Sequence, residues 1–323
     1  MNWVFQTTGI INRYNDKIHI GTQPIRVLHH VNVYWFQNLH PDFINELTSA
    51  FDKHGLAKTL DIKFGEHPIQ FGPYITVADK TITLDETFLS YLWCISHSVY
   101  TLYIQTIDYP RLNAQLGYER YKVSDKLIAN AKALFNYGKS LIVDFTKWDI
   151  DNMPNPEKYL AEERDFIEQP NIFYTQAVNF ILAHEYTHAI KHIDEIRKGV
   201  YEKSSFIAFE KEADAEAVEL MKKGIFPNQI NLLGVQIGIT IGILSMLYFN
   251  SSTKGVKHPN IEDRLVDALK QLNLEDDSPC WGIALIGIEL WAEQFGLSYK
   301  WDKTLSDKEA FDKVIAEIKS TNA

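Results

Sequence analysis

The sequence predicts a helix-dominated α+β fold whose strands are gathered towards the N-terminus. Short β-branched and aromatic runs broken by turns occupy residues 1–40 and recur at 73–86. From residue 87 onward the texture changes to long apolar or amphipathic segments bounded by Ser, Gly and Pro. The composition fits: 323 residues, 46 % hydrophobic and 23 % charged, describe a globular chain with a sizeable core. The net charge of −10, with no basic run longer than a pair, argues against a nucleic-acid partner. Two cysteines, Cys94 and Cys280, each in an apolar stretch, exclude a disulfide framework and a Cys-rich zinc ribbon. They fit a reducing compartment, and the first residues carry no cationic n-region or apolar block, so a cytoplasmic protein is expected.

Taken in order, GIINRYNDKIHIG (9–21) and IRVLHHVNVYWF (25–36) read as strands. Asp42 to Lys53 reads as a short amphipathic helix ending before Gly55. PYITVADKTITLDE (73–86) reads as a hairpin turning at Ala78-Asp79-Lys80. A long apolar helix follows over 87–105, then one over 124–138 with a Ser cap and a Gly stop. LIVDF (141–145) reads as a strand, and a polar loop runs on through NMPNPEKY. Helices are expected over Pro170–Lys198, with Pro in the first turn, and over Ser205–Lys223. Others fall at 230–249, 258–272 and 280–296, and the tail from Ser298 reads as a polar helix or an ordered appendage. Leu232 to Phe249 is 18 residues without a charge, the lower edge of a membrane span. Gly234, Gly238 and Gly242 are spaced for close helix contact, and Gln236 interrupts the segment. A buried core helix is the expectation, with membrane-peripheral association through 232–249 as the alternative.

The chemistry concentrates in ILAHEYTHAIKH (181–192). On an α-helix, positions i and i+4 lie on one face, so His184 and His188 can bind one metal ion. Glu185 projects beside them and is placed to act as a base without ligating. Shuffled sequences of this kind contain H-E-x-x-H about 0.02 times per chain, which makes the motif worth a hypothesis. Its apolar neighbours Ile181, Leu182, Ala183, Ala189 and Ile190 imply a buried helix, where unpaired imidazoles would be costly. A third ligand is expected downstream, and FEKEADAEA offers Glu210 and Asp214 at i and i+4. Glu210, 22 residues after His188, has room to return on a second helix, with Ala213 and Ala217 permitting close approach. Asp214, one turn on, would accept the N–H of a ligand histidine. Glu212 is the rival third ligand. Lys191 and Asp194 stand where a metzincin needs Gly and His. His192 lies one turn beyond the metal and is read as a supporting or surface residue.

HEYTH, EKEAD and KHPNIEDRL (257–265) together resemble the gluzincin layout, in which the third ligand sits in an E-x-x-x-D segment. The likeness is nearest to the Lit-type phage-exclusion peptidases and extends to LSYLWCISHSVYTLYIQ (89–105) and NPEKYLAE (155–162), covering roughly 85–270. The resemblance implies a zincin-like (gluzincin) metallopeptidase domain over 73–323. It leaves 1–72 as an N-terminal α+β region for recognising substrate or activator. It further implies an intracellular bacterial zinc endopeptidase of phage defence, with one catalytic Zn2+ held by His184, His188 and Glu210 and with Glu185 as base. The implied substrate is translation elongation factor Tu, cleaved once a phage-derived head peptide acts as activator. His258 could donate to the tetrahedral oxyanion and Arg264 could orient an acidic group; alternatively Pro259 starts a helix and Arg264 pairs with a neighbouring carboxylate. Tyr186 is read as packing, and the strand around Ile75–Leu84 as an edge for an extended substrate. Two rival classes remain at this stage. One is a non-catalytic zinc-stabilised binding or sensing module closed by a fourth ligand from His192, Glu212 or Asp194. The other is a membrane-associated metallopeptidase.

Overall fold

A computed structural model of the chain describes residues 6–7, 21–199, 203–225, 231–255, 258–299, 301–302 and 304–322. The N-terminal part comprises β1 (Gln6–Thr7), α1 (Arg26–Gln37), α2 (Phe43–Asp52), β2 (Thr59–Lys63), β3 (Tyr74–Ile75) and β4 (Ile82–Asp85). Helices then dominate. α3 (Glu86–Tyr103) passes through a π turn at Ile104–Asp108 into α4 (Tyr109–Leu116), and α5 (Asp125–Ser140) follows. α6 (Asp165–Thr187) passes through a second π turn, His188–His192, into α7 (Ile193–Lys198). The remainder is α8 (Lys203–Lys223), α9 (Leu232–Leu244), α10 (Ile261–Gln271), α11 (Pro279–Phe295) and α12 (Asp307–Asn322). A helix-dominated α+β architecture is therefore what the chain adopts.

The sheet order is β1-β2-β4-β3, with β1–β2 and β2–β4 parallel and β3–β4 antiparallel. The expected hairpin forms, pairing Tyr74 with Thr83 and Ile75 with Ile82, and Lys80 adopts a φ of 58° at its turn. β4 has a neighbour on each side, so among the described residues the edge on this flank belongs to β3 rather than to the whole Ile75–Leu84 stretch. The β2–β4 pairing joins residues on both sides of position 72, and one core cluster includes Ile25, Phe43 and Leu60 together with Leu84, Tyr174 and Ile241. The hairpin turn is anchored to α7: Arg197 donates to the carbonyls of Val77 and Ala78, both at 2.7 Å, and Lys80 Nζ reaches Asp194 at 3.1 Å.

Two strand readings are corrected. Residues 26–37 are helical, with Leu28, His29, Asn32, Val33, Phe36 and Gln37 buried in a 3.6-residue stripe. Polar His29 and Asn32 complete that stripe, so apolar residues alone conceal it. LIVDF (141–145) is a turn continuing from α5: the N–H groups of Val143 and Asp144 both bond to the Ser140 carbonyl, and Val143 is 80 % exposed. The segment 9–20 lies outside the described residues. The Ser124 cap of α5 forms through Leu127 N, and the helix runs two residues past Gly138. α6 begins at Asp165, five residues ahead of Pro170, which sits inside the helix.

Leu232–Phe249 is long and apolar enough to cross a membrane by composition, yet 72 % of it is buried inside the molecule. The helix proper ends at Leu244, and Val235 through Leu244 are all buried. Its glycines meet α6: a methyl group on Gly242 would stand 3.0 Å from Phe180, and one on Gly238 would collide with Gln176. α9 thus presses directly on the helix that carries the histidine motif.

Candidate metal centre

α6 is buried almost all round, packed by α1, α3, α8 and α9. A helix in that position must resolve any polar side chain internally. Gly199, at φ 67°, ends the run through α7. Ala213 and Ala217, both fully buried on α8, leave room for the two helices to approach. That approach brings Glu210 to the paired imidazoles.

One ligand atom each from His184, His188 and Glu210 lies within 4.8 Å of the others. His184 Nε2 and His188 Nε2 stand 3.0 Å apart and each is 3.4 Å from a Glu210 carboxylate oxygen. Behind His184, its Nδ1 is 2.9 Å from Asp214 Oδ1. Arg264, from α10, grips Asp214 with two bonds: Nε to Oδ2 at 2.6 Å and Nη2 to Oδ1 at 2.7 Å. Asp214 and Arg264 are both buried. Arg264 thus pairs with a carboxylate that also meets His184. Its Nη1 rests against Met246 Sδ at 3.1 Å.

His258 precedes α10, more than half exposed, with Nδ1 2.8 Å from Glu210 Oε2. Glu185 is buried beside the group, and no hydrogen bond from a described residue restrains its carboxylate. Glu212 does not join the donor group; it is nearly half exposed and pairs with Lys191 at 2.8 Å. Asp194 is occupied by Lys80. Tyr186 packs edge-on against Phe43 at 5.3 Å between ring centroids.

The ionisable groups of the site shift one another strongly. Burial alone would favour neutral His184, but hydrogen bonds to Asp214 and Glu210 outweigh it and raise its pKa to about 9. Burial opposes the charge on Glu210, yet His184, His188 and His258 hold its carboxyl well below the ordinary range. Asp214 is likewise lowered despite its burial, by the Arg264 charge and by His184. Burial raises Glu185, which favours a group that must accept and return a proton. Two imidazole nitrogens and a carboxylate, with a backing carboxylate on one histidine, form a donor set that fits a divalent metal, and zinc is common in such sets.

What α6, the π turn after it and α8 assemble is a His-His-Glu group, both histidines buried and the glutamate partly so, that could hold a metal ion inside a largely helical α+β chain. The chain belongs to the peptidase U49 family, whose profile matches residues 82–284, more than half of the sequence. That span begins at β4, ends within α11 and contains every residue of the site. Family membership supports a protease acting on a protein substrate. No curated protein and no solved structure matches the chain.

Sequence reasoning did not place the partners of His192. It is buried, its Nδ1 is 2.9 Å from His188 Nδ1, and its ring stacks on Phe209 at 4.5 Å. The repeat of histidines at i, i+4 and i+8 was the available signal. The π turn that holds His188 and His192 was not legible.

Proposed function

We propose that this chain is a zinc-dependent endopeptidase of the gluzincin type, a conditionally activated phage-defence protease of the Lit kind. The observation that carries this reading is the meeting of His184, His188 and Glu210 beside a buried Glu185. The proposed ligands are His184, His188 and Glu210, and the proposed base is Glu185. Bound there, Zn2+ supplies Lewis-acid polarisation of the scissile carbonyl and lowers the pKa of water towards ~7.

The chain's own residues do the rest. Asp214 accepts the Nδ1–H of His184, which turns the Nε2 lone pair towards Glu210. Arg264 holds Asp214 in that role. Glu185 takes a proton from the attacking water and returns it to the leaving amine. His258, exposed at the mouth of the group, donates to the developing oxyanion. The zincin-like assignment of the fold rests on this constellation and on the family.

Translation elongation factor Tu as substrate, a phage-derived peptide as activator, and the cytoplasm as location extend the resemblance to Lit-type peptidases. The test is terminal proteomics in cells expressing the wild type or Glu185→Gln, with and without phage infection. New termini within elongation factor Tu, present only with the wild type during infection, are expected. Cleavage of other proteins alone would remove that substrate, and identical termini in both strains would remove the peptidase reading.

The non-catalytic alternative needs a fourth protein ligand from His192, Glu212 or Asp194. Among the described residues, the donor atoms of these three are not part of the converging group.

A further inference from the structure

We infer that His192 is a positioning residue for His188: its Nδ1 accepts a hydrogen bond from His188 Nδ1–H, and its own Nε2–H points to Glu212. This rests on the metal-site reading above and adds a residue to which neither the motif nor the family match gives a role.

A neutral imidazole carries one N–H and one lone pair. His188 Nε2 faces Glu210 Oε1 at 3.4 Å and His184 Nε2 at 3.0 Å, so a metal-binding His188 must leave that nitrogen bare. Its proton then sits on Nδ1, 2.9 Å from His192 Nδ1. Two nitrogens at that distance share one proton, so His192 Nδ1 is the acceptor. The His192 proton is thereby confined to Nε2, which faces Glu212 Oε2 at 3.5 Å. One choice at the metal-facing atom fixes the tautomers of both rings.

The rings have little freedom to escape this arrangement. The His192 side chain is 2 % exposed and lies nearly parallel to the Phe209 ring, at 20°. Both histidines belong to the π turn, where the Ile193 N–H bonds back to the His188 carbonyl. Such turns recur at functional sites because they re-aim side chains within a helix. Glu212 is itself steadied by Lys191 at 2.8 Å.

The test is zinc affinity of the full chain by chelator competition, for the wild type, His192→Phe and His192→Asn, together with 15N-histidine NMR of the wild type. His192→Phe keeps a ring on Phe209 but removes the acceptor, and should weaken zinc by about 10–100-fold. His192→Asn restores an oxygen near the Nδ1 position and should return affinity close to wild type. The spectra should show His188 protonated at Nδ1 and His192 at Nε2; they require no variant, so poor folding of either variant leaves the test intact. Unchanged affinity in His192→Phe, equal losses in both variants, or a proton on His192 Nδ1 would each overturn the inference. A wild type that binds no zinc would instead defeat the metal site itself.

Discussion

The two histidines of the motif sit one helical turn apart, yet they are supported in different ways. His184 leans on an anion brought from another helix: Asp214 on α8, clamped twice by Arg264 on α10. His188 leans on a neutral ring from its own helix, His192, with the half-exposed Glu212 behind it. One support is tertiary, charged and buried; the other is local and uncharged at its first contact. A tertiary charged support couples the site to folding, because removing Asp214 or Arg264 breaks a buried ion pair. A local neutral support tunes orientation with a small effect on stability. The site can therefore be broken in two distinguishable ways.

The largest expected effect touches neither support. Glu185→Gln should retain metal while losing measurable cleavage; turnover by the zinc-loaded variant would remove Glu185 from the chemistry. Next, Arg264→Leu should cost about 3–5 kcal/mol of folding stability above pH 9, where His184 is neutral and Asp214 is left buried without a cation, read by denaturant unfolding. A loss under about 1 kcal/mol would show the pair is solvated in solution. Asp214→Asn should weaken zinc binding by roughly 10–100-fold, and an unchanged titration would mean that His184 needs no anionic partner. Glu212→Gln should be the mildest, with little change in either zinc affinity or stability, because its carboxylate is near solvent. If it matched Asp214→Asn, the two supports would not differ in kind.

The charged support also sets a pH dependence. In the metal-free protein, the His184 pKa is raised from 6.5 to about 9, so its protonated form stabilises the fold. That contribution is complete below pH 6.5 and is lost as pH rises through about 9. Metal must displace this proton, so zinc affinity should climb across the same window, with proton release on binding. Isothermal titration in buffers of different ionisation enthalpy reads the released proton. A flat profile between pH 6.5 and 9 would contradict the raised value.

Much of the site was legible because helical spacing converts sequence distance into geometry. His184 and His188 had to share a face, and Glu210 and Asp214 had to share another. The meeting of those faces depends on the end of α7 at Gly199, whose φ is 67°, and on the small Ala213 and Ala217. The buried glycine-lined helix at 232–244 was readable for the same reason, since its small residues needed a close neighbour. α1 was misread because its buried stripe includes His29 and Asn32, which a hydrophobic pattern counts as exposed. The apolar run at 141–145 looked like a strand, but no partner strand pairs with it among the described residues, and it forms the turn that follows α5. The contacts of His192 needed atomic positions, because spacing alone placed it one turn beyond the metal, as a supporting or surface residue without a named partner.

The most direct test is anomalous diffraction at the zinc edge from crystals of the zinc-loaded chain. One peak should lie about 2.0–2.2 Å from His184 Nε2, His188 Nε2 and a Glu210 oxygen, with no fourth protein ligand. A peak that excludes Glu210, or one enclosed by a fourth side chain, would contradict a hydrolytic centre.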